Sequence, residues 1–176
     1  MKQFYIIITT MLLALTTTAQ NMTYDVDITH TREMKASGKT IVKSGHMVFD
    51  GNDQLTINYT EPEGEYFIIE GKLVKMNLNG KKSEVNAEKV KSVELQRSTL
   101  LNCLAGKWQE AAKTNNAEST VAINKGSHTV TLTAKGKVQR GGYQSVMLTY
   151  RTSDSKLLKM VLVESTGIKD TYEIVN

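Results

Sequence analysis

Apolar residues return on alternate positions through most of this chain, and a period of two predicts strands with one face buried and one wet. Tyr24, Val26 and Ile28 alternate with Asp25, Asp27 and Thr29. Further strands are expected over Ile41 to Asp50, at Leu55, Ile57 and Tyr59, over Tyr66 to Ile69 and over Leu73 to Leu78. Turn chemistry closes each piece: Ala36-Ser37-Gly38-Lys39, Asp50-Gly51-Asn52-Asp53, Glu61-Pro62-Glu63-Gly64, Glu70-Gly71-Lys72 and Asn79-Gly80. Pro62, the one proline, falls in a loop where its missing donor breaks no ladder.

The period changes between about Glu84 and Ala105. Ala87, Val90, Val93, Leu100, Leu101 and Leu104 recur at helical spacing, with Glu88, Lys89, Lys91, Glu94 and Arg97 opposite them. Gly106 is a stop signal, and a shorter helical piece is expected from Trp108 to Lys113. Gln96 to Thr99 is polar enough to break the longer helix in two. Alternation then resumes at Val121 and Ile123, Val130 and Leu132, Val146, Leu148 and Tyr150, Leu158, Met160 and Leu162, and Tyr172 and Ile174.

Nine or ten strands around a helical insertion predict one mainly β domain. The expected arrangement is a long antiparallel meander, strongly curved into an incomplete barrel, with the helix as a lid over its concave side. Tyr24, Leu55, Ile57, Phe67, Ile69, Met76, Leu158, Met160 and Leu162 supply more apolar surface than a flat sheet could hide.

Composition narrows this picture. The first nineteen residues, with Lys2, an apolar run from Phe4 to Leu15 and the small residues Thr17-Thr18-Ala19, read as a signal peptide. The domain is then residues 20 to 176. No cysteine stands at that junction, so no lipid anchor is expected there. The chain's one cysteine, Cys103, removes the disulfide-scaffold class and lies on the apolar helix beside Leu104, where a thiol behaves as a small hydrophobe. A formal net charge of +4 spread over turns and strand edges favours a solvated surface over a nucleic-acid face.

Catalytic chemistry finds no pattern. His30, His46 and His128 have no metal-ligand spacing, and no G-x-S-x-G elbow or phosphate loop occurs. Clustered Glu61, Glu63 and Glu65, with His46, are the acid-base candidates, and loop carboxylates beside Pro62 and Gly64 read as solvated. We expect no enzyme, no catalytic or metal residue and no cofactor.

The order of these pieces resembles the LolA-like family of periplasmic lipoprotein carriers, in its divergent, Bacteroidetes-type branch. The resemblance rests on Ser44-Gly45 and its strand, the turn Gly51 to Asp53, Leu55-Thr56-Ile57-Asn58-Tyr59, the Glu61-Pro62-Glu63-Gly64 loop, and Glu70-Gly71-Lys72 leading into Leu73 to Met76. It implies a soluble, monomeric periplasmic protein that shelters the acyl chains of lipoproteins or lipids, receives them from an inner-membrane lipoprotein-releasing ABC transporter and passes them to an outer-membrane acceptor. The acyl-binding cavity would be lined by Tyr24, Phe49, Leu55, Ile57, Tyr59, Phe67, Ile69, Met76, Leu158, Met160 and Leu162. Val90, Val93, Leu100, Leu101 and Leu104 would face it from the lid. Met47, Met76, Met147 and Met160 would give it an adaptable surface. A sensor or adaptor that binds lipoprotein without transporting it is the alternative. In the best-studied carriers an arginine in the turn before the Leu55 strand bonds to the lid, and that place is held here by Gly51.

Overall fold

A computed structural model describes residues 22–138 and 142–175. The expected leader and its junction at Ala19 and Gln20, and Gly141 of the expected Gly141-Gly142 turn, lie outside the described residues. Eleven strands form one antiparallel sheet: β1 (Tyr24–Met34), β2 (Lys39–Phe49), β3 (Gln54–Glu61), β4 (Tyr66–Glu70), β5 (Leu73–Leu78), β6 (Lys81–Asn86), β7 (Ala117–Asn124), β8 (Ser127–Ala134), β9 (Tyr143–Arg151), β10 (Leu157–Glu164) and β11 (Ile168–Val175). Between β6 and β7 the chain makes one 3-10 turn, Ala87–Lys89, then α1 (Lys91–Leu104) and α2 (Trp108–Thr114).

The sheet is not the single meander that short connections predict. Its order is β6-β5-β4-β3-β2-β1-β11-β10-β9-β8-β7. Two meanders therefore meet where β1 and β11 pair antiparallel, Ile28 opposite Ile174 and His30 opposite Tyr172. The helices carry the chain from one free edge to the other. A flat sheet of eleven strands would be roughly 48 Å across, whereas α1 and α2 end to end reach only about 31 Å. The sheet must curl toward the helices, and right-handed strand twist supplies the curl.

Two differences from the expected pattern have local causes. Lys81–Asn86 pairs as strand β6 along β5 although its alternation is weak, because the tight turn at Asn79-Gly80 fixes the register Leu78 to Lys81. Asn79 and Gly80 both take positive φ there. Helix α1 also survives its polar stretch. Thr99, fully buried, turns its hydroxyl back onto the Leu95 carbonyl at 2.7 Å, so the polar group is satisfied within the helix. The chain breaks later, at Gly106, whose φ of +73 ends α1 as expected.

Residues opposite each other in the ladders share a face, which sets the inner surface row by row. Tyr24, Phe49, Leu55, Ile69 and Val74 form one row, and Val26, Met47, Ile57, Phe67 and Met76 the next. A different row, offset along the strands, runs from His30 on β1 through Tyr172, Met160, Leu148 and Val130. Gly45 allows the tightest approach on this face: a Cβ there would stand 2.7 Å from the Asn58 carbonyl and 3.2 Å from the Tyr59 ring. No larger residue fits under Tyr59 without moving backbone.

Candidate functional site

Helix α1 covers this inner surface with Leu100, Leu101, Cys103 and Leu104, and α2 adds Ala111 and Ala112, all in the same buried cluster as the sheet residues. A fully buried leucine contributes roughly 1.5–3 kcal/mol, so apolar contact dominates the attachment of the lid. Few polar bonds join it to the sheet. Arg97 on α1 donates from Nη1 to the Gly71 carbonyl in the β4–β5 turn at 2.9 Å. Its remaining donors hold Glu94 in a two-pronged pair, Nε to Oε2 at 2.8 Å and Nη2 to Oε1 at 2.9 Å. The Tyr150 hydroxyl reaches the Cys103 carbonyl at 3.4 Å. A polar contact from lid to sheet is thus made by an arginine of the lid itself, while Gly51 stands in the turn before β3.

Of the residues expected to line a cavity, Tyr24, Phe49, Leu55, Ile57, Tyr59, Ile69, Met160 and Leu162 are buried in one cluster, and Phe67 and Met76 pack partly buried against it. Leu158 does not join them. The ladder slips between Leu157 and Lys159, and this bulge turns Leu157 inward in its place. From the lid, Leu100, Leu101 and Leu104 are buried and Val93 packs at the margin. Val90 instead caps α1 in extended conformation, 39% exposed, and points away. Met47 and Met160 are inside, while Met147 is on the outer face. Val121 and Ile123, on the inner side of edge strand β7, lie past the reach of α2 and are 53% and 83% exposed.

The interior is filled by the protein's own side chains. Leu55, Ile69 and Leu148 of the sheet and Cys103 of the lid have no solvent exposure and belong to one buried cluster. Burial pushes the Cys103 thiol up to about 12, so it is unreactive while the lid is in place. One surface depression, of about 400 Å³, lies by the β1–β2 and β10–β11 turns. Another, of about 190 Å³, lies beside the start of α1.

A polar band, not legible in the alternation, crosses one end of the inner face. His30 donates from Nε2 to the Asp170 carboxylate at 2.9 Å, and its Nδ1 lies 2.8 Å from the Tyr59 hydroxyl. The His30 ring stacks on Tyr172, 4.3 Å between centroids. Arg32 approaches Asp170 at 3.4 Å. On the other side of Tyr59, Lys43 pairs with Glu65, whose second oxygen accepts from the Asn79 amide at 2.6 Å. Burial pushes Glu65 up, but the Lys43 ammonium and the Asn79 amide outweigh it and hold its carboxyl below the usual range. Burial, with Asp170 and Glu65 nearby, raises Tyr59 well above an ordinary phenol. His30, Lys43, Glu65 and Asp170 are all buried.

The chemical candidates disperse. Glu61 and Glu63 are exposed in their loop, but Glu65, expected to be solvated with them, is buried, where the Lys43 ammonium and the Asn79 amide satisfy its carboxylate. His46 lies on the outer face between Asp27 and Asp25, each 2.8 Å from a ring nitrogen. Among the described residues no group of three His, Cys, Asp or Glu side chains could hold a metal, and no helix is long and apolar enough to cross a membrane.

An open antiparallel sheet curled under helices on its concave side is the architecture expected from the sequence. Solved structures similar to this chain include the LolA superfamily protein NE2245 from Nitrosomonas europaea, at 10% identity and TM-score 0.39, with 89% of this chain and 86% of that chain covered. LprF from Mycobacterium bovis is similar at 14% identity and TM-score 0.42, with the same coverage. The MucA/MucB complex of Pseudomonas aeruginosa is similar at 11% identity and TM-score 0.43, with 89% of this chain and 52% of that chain covered. No family model and no curated protein matches the sequence. Likenesses at this level say nothing of what the chain binds.

Proposed function

We propose that this protein is a periplasmic carrier that shelters the acyl chains of lipoproteins between the inner face of the sheet and α1, and delivers them toward the outer membrane. One observation supports this above the others: a broad apolar face, made of rows across β5 to β1 and an offset row across β11 to β8, is closed by a lid with few polar bonds to the sheet. An acyl chain needs no polar bond to be held, since each buried methylene contributes about 0.8 kcal/mol. With the interior filled, loading requires α1 to move away, and cargo then replaces the leucines of the lid against the same surface. Met47, Met76 and Met160 suit a surface that must pack against two different partners.

The ring of Tyr24, Phe49, Leu55, Ile57, Tyr59, Phe67, Ile69, Met76, Met160 and Leu162 is the acyl-binding surface in this reading. An inner-membrane lipoprotein-releasing transporter would be the donor. The test is mass spectrometry of lipid extracted from natively purified protein, with transfer of an acylated peptide to outer-membrane vesicles. Neither co-purified acyl lipid nor binding of the acylated peptide would sink the proposal. Binding with a stable protein partner and no transfer would make the protein a sensor or adaptor instead.

A further inference from the structure

The two edges of the sheet are unlike. β6 carries Lys81, Lys82 and Glu84 among its six residues, and an edge so charged resists pairing with another chain. β7 is eight residues long with one charge, Glu118, and no proline or glycine. From Ser119 to Ile123 it is uncharged and rich in β-branched residues. No register shift interrupts its ladder with β8, and among the described residues it pairs with β8 alone. A regular, uncharged, exposed edge of this kind is a template for one more strand.

The main chain is turned to receive it. The Lys135 amide donates to the Asn116 carbonyl at 2.8 Å, and these two residues continue the register that sets Ala117 opposite Ala134. Bonded and non-bonded pairs alternate along an antiparallel ladder, so Glu118, Thr120, Ala122 and Asn124 bond to β8. Ser119, Val121 and Ile123 therefore send their N–H and C=O groups out along the free edge. Val121, opposite Val130, also prolongs the inner row of Tyr172, Met160, Leu148 and Val130. Val121 and Ile123 stand there uncovered, and among the described residues no other large apolar side chain on the sheet's inner face is as exposed.

The pattern of this edge fits itself. Two antiparallel copies of β7 related by a two-fold axis normal to the sheet keep inner face beside inner face and set outward residues against outward residues. With the axis at Ala122, Val121 of each copy lies opposite Ile123 of the other, so all four uncovered side chains meet. Thr120 then lies opposite Asn124 and Ser119 opposite Lys125, while the small Ala122 meets its own copy on the axis. No like charges face each other, and Glu118 of one copy comes beside Lys125 of the other. Moving the axis by one residue, to Val121 or Ile123, sets an apolar side chain against Ser119 or Lys125 instead. We infer that β7 is a self-pairing edge, which joins two copies of this chain into one continuous sheet and lets each copy cover the end of the other's apolar inner face. So narrow a contact falls below the roughly 1,200 Å² of stable complexes, so the dimer is a weak one. The pairing does not depend on what the inner face carries.

Single cysteines test the register. At a non-bonded antiparallel pair the Cα atoms stand about 4.5 Å apart, within reach of a disulfide, and the native Cys103 is fully buried and does not compete. Under mild oxidation Ala122→Cys should form a covalent dimer about tenfold or more faster than Thr120→Cys, whose opposite residue is Asn124. Sedimentation of the wild type should show a dimer that grows between about 10 μM and 1 mM. Val121→Pro, which removes an outward N–H and leaves the ladder to β8 intact, should abolish it, as should Ile123→Lys. A wild type that stays monomeric throughout that range, or equal cross-linking of the two cysteine variants, would overturn the self-pairing. Protection of the Ser119, Val121 and Ile123 amides from hydrogen exchange by an acylated peptide, with none from raised protein concentration, would overturn it as well and make the peptide chain of a cargo the occupant of this edge.

Discussion

Replacing Arg97 with alanine tests the lid directly. The bond it removes, Arg97 Nη1 to the Gly71 carbonyl at 2.9 Å, has a charged donor, and such bonds contribute about 1.5–3 kcal/mol. The Arg97 side chain is 16% exposed, and water can meet part of what the half-buried turn carbonyl loses. The pair with Glu94 lies within α1 and does not hold the lid to the sheet. Loss of about 1–2 kcal/mol from the closed state is the reasonable figure, which raises the population of released lid by a factor of roughly 5–30. Cys103 reports it, being the chain's one cysteine, fully buried on α1 and with its thiol held up to about 12 by that burial. A maleimide labels it only when α1 leaves the sheet, so Arg97→Ala should speed labelling by that same factor of roughly 5–30. Hydrogen exchange at β1 and β2 serves as the control and should not change. Unaltered labelling, or exchange that rises equally in β1 and β2, would refute the idea that Arg97 acts on the lid.

Three further outcomes are expected. Lys43→Met should destabilise by about 3–5 kcal/mol because it leaves Glu65 buried and unpaired, while Lys43→Met with Glu65→Leu should recover most of that loss in urea denaturation. Hydrogen bonds to Asp27 and then Asp25 raise the pKa of His46. Its stabilisation is therefore fully present below its unfolded value near 6.5 and vanishes as pH rises through the higher folded value. His46→Gln should be less stable than wild type in acid and equal to it in alkali, by denaturation across a pH series. Met76→Glu, at a half-buried inner position, should leave the circular dichroism spectrum unchanged and abolish binding of a fluorescent fatty acid, since a charge would stand in the apolar interior.

Alternation alone marked Leu55, Ile57 and Tyr59 as one face, because a residue's side in a strand depends only on the local period. The same local rule located the turns at Gly38, Gly51, Gly64 and Gly71, all at positive φ. It also placed the helical insertion and its end at Gly106. It placed Leu158 inward wrongly, since a bulge in the β9–β10 ladder decides which of Leu157 and Leu158 faces inward. Val121 and Ile123 read as buried by the same rule, but the length of α2 leaves them uncovered.

Partners distant in sequence required the tertiary structure. His30 and Asp170 lie 140 residues apart and meet only because β1 pairs with β11, a pairing that no hydrophobic period encodes. Lys43 and Glu65 read as ordinary surface charges until the curl of the sheet encloses them. The sequence determined by itself a β-rich domain, its apolar faces and its helical cover, since these depend on periodicity and turn residues. Tertiary structure decided which strands meet at the centre, which arginine bonds lid to sheet and where buried charges find partners. Those outcomes depend on long-range register and on how far two short helices can reach across a curled sheet.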